Sequence, residues 1–166
     1  MTRALLVLAL TLGGWSAASE PIVSVPFEDP ETGFRLLIPS DWDYAVAPGD
    51  HRYVKFAHAD VIGDYLANEF YYPTPAAFID LRPGLVAYSC LHAPDAQHWE
   101  IDGQPACGTE QQGYDEAAGV TMVGREVTFV APNGQVIVID VYTCLECEEI
   151  LDVFDAMVAS ISWLAR

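Results

Sequence analysis

One segment near the C-terminus constrains the fold more than any other part of the chain. Two runs rich in β-branched residues, Thr121–Ala131 and Gln135–Thr143, flank the tripeptide Pro132-Asn133-Gly134. An Asn-Gly pair adopts the positive backbone angles that a tight hairpin turn requires. We therefore predict an antiparallel hairpin at this position.

The second strand of this hairpin carries little charge on either face. Ile137 and Ile139 point to one face, and Val138 and Asp140 point to the other, because side chains alternate along a strand. A strand that is apolar on both faces is typical of the centre of a covered sheet. The pattern predicts that this strand is central and covered on both sides.

Apolar residues recur at helical spacing from Glu148 to Leu164, which predicts a C-terminal helix. Glutamates at 146, 148 and 149 lie near its start, where carboxylates interact favourably with the helix dipole. We expect this helix to pack across the hairpin. The residues that it should bury are Ile150, Phe154, Met157 and Ile161.

Shorter strands are predicted in the first half of the chain. Phe34–Pro39 follows a turn and ends at a proline, and Asp41–Tyr44 leads into a second short extended piece. Arg52–Ala57 alternates polar and apolar residues, which is typical of a strand with one solvent-exposed face. Leu85–Leu91 also has the composition of a strand.

The segments between these strands are less regular. Asp60–Phe70 fits either a short helix or an irregular connection, and three prolines argue against regular structure in Tyr71–Pro83. Asp95–Gly119 is polar and contains glycine, so we expect mostly loop. The predicted fold class is α+β, with an antiparallel β-sheet flanked by helices and the C-terminal helix packed on the sheet.

The N-terminus has the features of a secretory signal peptide. A short positive start is followed by the apolar run Ala4–Leu12 and by the small residues Ser16-Ala17-Ala18. A spanning helix needs about 20 apolar residues, and this run is shorter. We predict a signal peptide over residues 1–18 and a single domain over residues 19–166. We expect that domain to lie in the periplasm or outside the cell. We do not expect it to span the membrane.

Four cysteines follow the predicted cleavage site: Cys90, Cys107, Cys144 and Cys147. In an exported protein an even number of cysteines indicates disulfides, and four cysteines allow three connectivities. We favour the local pairs Cys90–Cys107 and Cys144–Cys147. The alternative links the 90 or 107 region to the terminal pair. The Cys-x-x-Cys spacing also fits half of a zinc site, but no second close pair is present.

Charge excludes two classes of partner. The chain has 7 lysines and arginines against 24 aspartates and glutamates, a formal net charge of -17. Such a chain repels the phosphates of nucleic acids and the headgroups of anionic lipids. We interpret most of the acidic residues as a solvated surface.

No motif in the sequence specifies a reaction. It contains no Gly-x-Ser-x-Gly, no phosphate-binding glycine loop and no His-Glu-x-x-His. We therefore expect no catalytic residue, no cofactor and no metal. Cys90, His92, His98 and Cys107 could in principle surround copper or zinc, but histidines beside a disulfide are the simpler interpretation.

An aromatic cluster is the best candidate for recognition. Phe70, Tyr71 and Tyr72 precede a Pro-Thr-Pro segment. Aromatic side chains give large contact areas at interfaces, and prolines keep the backbone extended. The alternative is that these rings close the edge of the core.

Both ends of the chain resemble the PsbP-like domains, the PsbP and DcrB type. The resemblance lies in residues 27–42, with a glycine-aromatic turn, a strand and a proline shortly before Trp42, and in the closing Ser160-Ile161-Ser162-Trp163. It implies an antiparallel sheet flanked by helices, and a binding or accessory role. No site residue transfers from the family to this chain.

These observations favour an exported accessory or binding domain that acts through surface contacts and not as an enzyme. Its partner is expected to be an envelope protein or a small ligand. One alternative is a thiol-disulfide protein that uses Cys144 and Cys147. However, the glutamates around this pair disfavour a thiolate, so we expect a structural disulfide. A metal-binding envelope protein is the other alternative.

Overall fold

A computed structural model describes residues 24–29, 32–47, 53–68, 78–83, 90 and 96–164. The predicted signal peptide and most of the predicted strand Leu85–Leu91 lie outside these residues. The described elements are β1 (Ser24–Asp29), β2 (Phe34–Pro39), β3 (Trp42–Ala47), β4 (Tyr53–His58), α1 (Ala59–Ala67), β5 (Ile79–Pro83), β6 (Gln97–Ile101), β7 (Gln104–Asp115), β8 (Val120–Val130), β9 (Val136–Cys144), α2 (Glu148–Ala159) and β10 (Ser162–Trp163).

The strands form two antiparallel sheets. The larger has the order β3-β4-β5-β9-β8-β7-β6, and the smaller has the order β1-β2-β10. A continuous apolar core includes residues of both sheets and of α2, with Phe34, Phe56, Phe129 and Phe154 among its most buried side chains. The predicted α+β class, with a C-terminal helix packed on the sheet, is confirmed.

The predicted hairpin is formed by β8 and β9. Gly134 has a φ of 83°, the left-handed region that glycine enters without strain, and the Ala131 amide is hydrogen-bonded to the Gln135 carbonyl. β9 is the fourth of seven strands, so its predicted central position is confirmed. Cover on both sides is only partial, because Tyr142 on its second face is 63% exposed.

The C-terminal helix begins at Glu148 as predicted but ends at Ala159, five residues early. The Ser160 hydroxyl donates a hydrogen bond to the Met157 carbonyl and accepts one from the Leu37 amide. The chain then forms β10, which pairs with β2. Pairing with a distant strand thus overrides the helical spacing of the sequence.

Burial of the helix face follows the prediction in part. Phe154 and Met157 are buried, and Ile161 is buried although it lies beyond the helix. Ile150 is only partly buried and packs against the edge of the core.

The middle of the chain is more regular than its composition indicates. Asp95–Gly119 is not mostly loop but contains β6 and β7, joined by a turn in which Asp102 and Gly103 have positive φ. Their polar residues are explained by position, because most of β6 and much of β7 are exposed. Tyr71–Pro83 is likewise not wholly irregular, since β5 lies between β4 and β9.

Two further assignments concern the region of α1. The sequence of Asp60–Phe70 fits either a helix or an irregular connection, and the structure has α1 there. The prediction of one solvent-exposed face for Arg52–Ala57 is wrong, because the chain is buried from Val54 to Ala57. The second face of β4 is covered by Ile62 and Tyr65 of α1.

Candidate functional site

A groove opens between α2 and the outer strands β6, β7 and β8. Its volume is about 860 Å³, within the range of ligand-binding clefts. The groove lies on the same face of the large sheet as α2. Its apolar lining includes Trp99, Ile101, Val127, Phe154, Val158 and Ile161.

Trp99 is held against bare backbone in this groove. A Cβ atom placed on Gly108 would lie 2.6 Å from Cη2 of the Trp99 ring, closer than side-chain carbons approach. Glycine at position 108 therefore makes room for the indole. Trp99 is nevertheless 38% exposed, so part of its aromatic side chain is presented to solvent beside the groove.

One arginine ties the groove walls together. Nε of Arg125 on β8 lies 2.8 Å from Oε2 of Glu110 on β7, and its Nη1 lies 2.8 Å from Oδ2 of Asp155 on α2. The hydrogen bond from Arg125 holds the pKa of Glu110 below its ordinary value. The guanidinium of Arg125 is thus paired with the carboxylates of Glu110 and Asp155.

Carboxylates outnumber cations in the groove. Glu110 and Asp155 lie beside Arg125, which is the single lysine or arginine among the described lining residues. Glu100 and Glu126 also line the groove, but side chains alternate along a strand and theirs point to the opposite face, where Glu126 is in register with Asp140.

The opposite face of the large sheet carries a second polar cluster, which we call the charge network: Tyr53, Lys55, Asp80, Arg82 and Asp140. Nζ of Lys55 lies 2.7 Å from Oδ1 of Asp80, and the Tyr53 hydroxyl donates to Oδ2 of the same carboxylate at 2.8 Å. Nε of Arg82 donates to Asp140 at 3.0 Å. Register places Lys55, Asp80 and Asp140 side by side on β4, β5 and β9.

The charge network is internally matched. Lys55 is buried, with its ammonium group 4.7 Å from the centre of the Tyr53 ring and 5.1 Å from that of Phe78. Burial is the main cause that raises the pKa of Tyr53, and the neighbouring Asp80 carboxylate is the second. Burial also raises the pKa of Asp140, against the lowering effect of Arg82. These contacts bind neighbouring strands together.

The cysteines form the two local pairs, Cys90–Cys107 and Cys144–Cys147. Cys107 is paired in register with Thr128 and, through β8 and β9, lies on the face of the charge network. The disulfide therefore attaches Cys90 to β7 on this face of the sheet.

The Cys144–Cys147 disulfide lies outside the groove, between the end of β9 and the start of α2. Its two Cα atoms are 5.2 Å apart, and both residues are partly exposed. Glu148 and Glu149 occupy the first turn of α2. The acidic surroundings expected from the sequence are therefore present at this pair.

The predicted recognition residues Phe70, Tyr71 and Tyr72 lie outside the described residues, as does His92. Nδ1 of His58 lies 3.3 Å from Oδ2 of Asp41.

The copper or zinc alternative loses two of its ligands. Cys90 and Cys107 are bonded to each other, so neither offers a thiolate. In the part of the chain that the structure describes, no group of three or more histidines, cysteines or carboxylates has a geometry that could hold a metal ion.

Sequence reasoning missed the groove because it read Asp95–Gly119 as loop. A signal was present, since Trp99 and Ile101 alternate with His98 and Glu100 immediately before Asp-Gly. That pattern is typical of an edge strand entering a tight turn. The position of α2 beside it could not be read from the pattern.

Comparison with known proteins gives a likeness of fold. No family model matches the sequence, and no curated protein matches it either. A crystal structure of a Bacteroides thetaiotaomicron VPI-5482 protein is similar with a TM-score of 0.50 and 12% identity over 85% of this chain. This chain spans about half of that protein, 48%. At this identity the likeness concerns the fold alone.

Two further solved structures are similar at lower scores. One is LpqN of Mycobacterium tuberculosis, described as involved in cell envelope biogenesis, with 13% identity, a TM-score of 0.48 and coverage of 86% of this chain and 91% of LpqN. The other is a cyanobacterial PsbP (CyanoP) from Synechocystis sp. PCC 6803, with 13% identity, a TM-score of 0.44 and coverage of 92% and 98%. The similar structures thus include a member of the family that the two ends of the sequence resemble.

Among the described residues, neither helix has the length and apolar character needed to cross a bilayer.

Proposed function

We propose that this protein is an exported accessory domain that binds a partner through surface contacts, has no catalytic activity of its own, and uses the groove as its recognition site. The observation that carries this proposal is the Trp99 ring, held against Gly108 yet 38% exposed beside a cavity of about 860 Å³.

An exposed but restricted tryptophan is well suited to recognition. Burying an aromatic ring on binding removes a large apolar area from water, and tryptophan is enriched among the residues that dominate interface energies. Contact with the Gly108 backbone favours one position of the ring before binding, so less side-chain entropy is lost on binding. The groove therefore offers a preorganised aromatic anchor.

Export is supported by two features of the chain. The first 18 residues have the pattern of a secretory signal peptide. The two disulfides fit an oxidising compartment, where such bonds form and persist. Both features support the proposed periplasmic or secreted location.

The aromatic residues Phe70, Tyr71 and Tyr72 remain a second proposed contact surface. Their sequence supports this proposal, because three consecutive aromatic residues precede the prolines. They can be tested beside Trp99 in the same experiment.

The alternative, thiol-disulfide exchange, rests on Cys147 at the N-cap of α2. A helix N-terminus lowers the pKa of a cysteine thiol, which activates it. Glu148 and Glu149 in the first turn oppose this effect. We therefore keep surface binding as the proposed function.

The proposal is tested by recovering partners from the cell envelope with tagged mature protein. The variants are Trp99→Ala, the double variant Tyr71→Ala with Tyr72→Ala, and the control Tyr114→Ala, which removes an aromatic ring that is 67% exposed outside the groove. All are first checked for unchanged thermal unfolding.

We expect wild type and Tyr114→Ala to recover the same protein and Trp99→Ala to lose it. Loss with the Tyr71 and Tyr72 double variant as well would make the second surface part of the interface. Equal recovery by Trp99→Ala and wild type would contradict the groove as the recognition site.

A further inference from the structure

We infer that the groove and the edge of β6 bind an extended segment of a partner protein in which apolar side chains alternate with lysine or arginine. This inference rests on the proposed function, because it uses the same groove, and it adds the chemistry and the conformation of the partner.

The first observation is the position of β6. It is the last strand of the seven-stranded sheet, and among the described residues it pairs only with β7. A strand with one partner has backbone donors and acceptors on its outer side, where an extended chain can add as a further strand. Four of the five residues of β6 are exposed.

The second observation is the alternation along β6. Trp99 and Ile101 point to the groove face, and His98 and Glu100 point to the opposite face. A chain paired with β6 alternates with the same period. Its apolar side chains would then lie beside Trp99 on the groove face, and its intervening side chains beside Glu100.

The third observation is charge. Glu100 and Asp102 lie on β6 and in the turn that follows it, and the positive charge of Arg125 is already paired with two carboxylates. The whole chain has 24 acidic residues against 7 basic ones. Complementary charge accelerates association and disfavours acidic competitors, so basic side chains suit this edge.

Main-chain pairing distinguishes this partner from a small organic amine. An amine would be attracted by the same carboxylates and by the Trp99 ring, but it would not use the outer side of β6. The exposed edge strand and the alternation beside it both favour a polypeptide. A free amine is therefore an outcome to be tested and excluded.

The test uses synthetic peptides of about seven residues, an ordinary strand length. One alternates lysine with leucine, one has glutamate in place of lysine, and one has serine in place of lysine. Hexylamine stands for the small amine. Binding to the mature protein is measured by calorimetry at fixed ionic strength, because salt screens charge effects.

Three proteins are compared with wild type. Trp99→Ala removes the aromatic anchor. Glu100→Gln with Asp102→Asn removes two carboxylates, and asparagine is suited to the positive φ of position 102. The matched control is Glu148→Gln with Glu149→Gln, which removes two exposed carboxylates from α2 at residues outside the groove lining.

We expect the lysine peptide to bind wild type and the control equally. It should bind Trp99→Ala about 30-fold more weakly, the equivalent of a hot-spot contact of about 2 kcal/mol. The Glu100 and Asp102 double variant should bind it about tenfold more weakly. The serine peptide should be weaker than the lysine peptide, and the glutamate peptide should not bind.

The contrary outcomes separate the two proposals. If all three peptides bind equally and Trp99→Ala weakens each of them, the basic character of the partner is wrong while the groove stands. If hexylamine binds as tightly as the lysine peptide, the extended polypeptide is wrong. If the lysine peptide binds wild type and Trp99→Ala equally, or binds neither, the inference is overturned. Partner recovery that still depends on Trp99 would then leave the proposed function standing.

Discussion

The two faces of the large sheet use charged residues in opposite ways. In the charge network, Lys55 and Arg82 each contact a carboxylate, and Lys55 is buried beneath aromatic rings. In the groove, carboxylates outnumber cations and an aromatic ring is exposed. One face of the sheet therefore holds a matched network, whereas the groove on the other face holds two carboxylates, Glu110 and Asp155, for the one cation of Arg125.

The difference arises from what covers each face. On the network side, α1 packs over β3 and β4. On the groove side, α2 contacts β9 and β2, and the chain then leaves the helix at Ser160 to form β10. Because α2 does not extend over β6, the outer strands keep an open face beside it.

The largest effect is expected at the charge network. Asp80→Asn removes the Asp80 carboxylate from beside the buried Lys55 ammonium, which should lower the free energy of unfolding by roughly 3–5 kcal/mol. Urea denaturation measures this change. A loss as small as that of an exposed ion pair would show that the network is not a buried unit.

Removal of the Cys90–Cys107 disulfide should have the second-largest effect on stability. The chain-entropy model assigns roughly 3 kcal/mol to a loop of this size, so Cys90→Ser with Cys107→Ser should lose about that amount. Thermal unfolding under non-reducing conditions provides the measurement. If lysine-peptide binding falls while stability is unchanged, the loop acts on the groove and not on the fold.

The Cys144–Cys147 disulfide should contribute less. Its short loop is worth about 2 kcal/mol in the same model. Glu148 and Glu149 disfavour the thiolate, so we expect a reduction potential below about -300 mV, typical of a structural bond. A potential near -120 mV with rapid exchange would instead support thiol-disulfide chemistry.

Glu110 should show the smallest effect on stability. Glu110→Gln removes an exposed ion pair, which costs at most about 1 kcal/mol. The folded pKa of Glu110 is lowered from 4.5 by its hydrogen bond with Arg125. Its stabilisation is therefore present above about pH 4.5 and is lost as the pH falls through the folded pKa. Carboxyl NMR titration measures the shift, which should become smaller in Arg125→Gln, where the hydrogen bond from Gln112 remains.

Local sequence patterns predict the elements whose structure depends on residues that are close in sequence. The turn at Asn133-Gly134 and the start of α2 at Glu148 follow directly from residue type and spacing. The end of α2 did not, because Ser160 contacts Leu37 on a distant strand.

The candidate site shows the same limit. The spacing of the cysteines favours the local pairs, and the alternation of residues 98–101 indicates the exposed strand β6. The approach of Trp99 to Gly108 depends on the pairing of β6 with β7, and the groove depends on where α2 stops. Neither relation is local, so neither could be read from composition or periodicity.

The most direct test of recognition at the groove is an NMR titration of the mature protein with the lysine-leucine peptide. We predict that changes in amide and indole resonances concentrate in residues 97–102, 108–111 and 154–161, with the Trp99 indole N–H among the largest. Residues 53–55, 80–82 and 140 of the opposite face should change little. Saturating changes centred on the charge network, with the Trp99 resonance unmoved, would contradict the account.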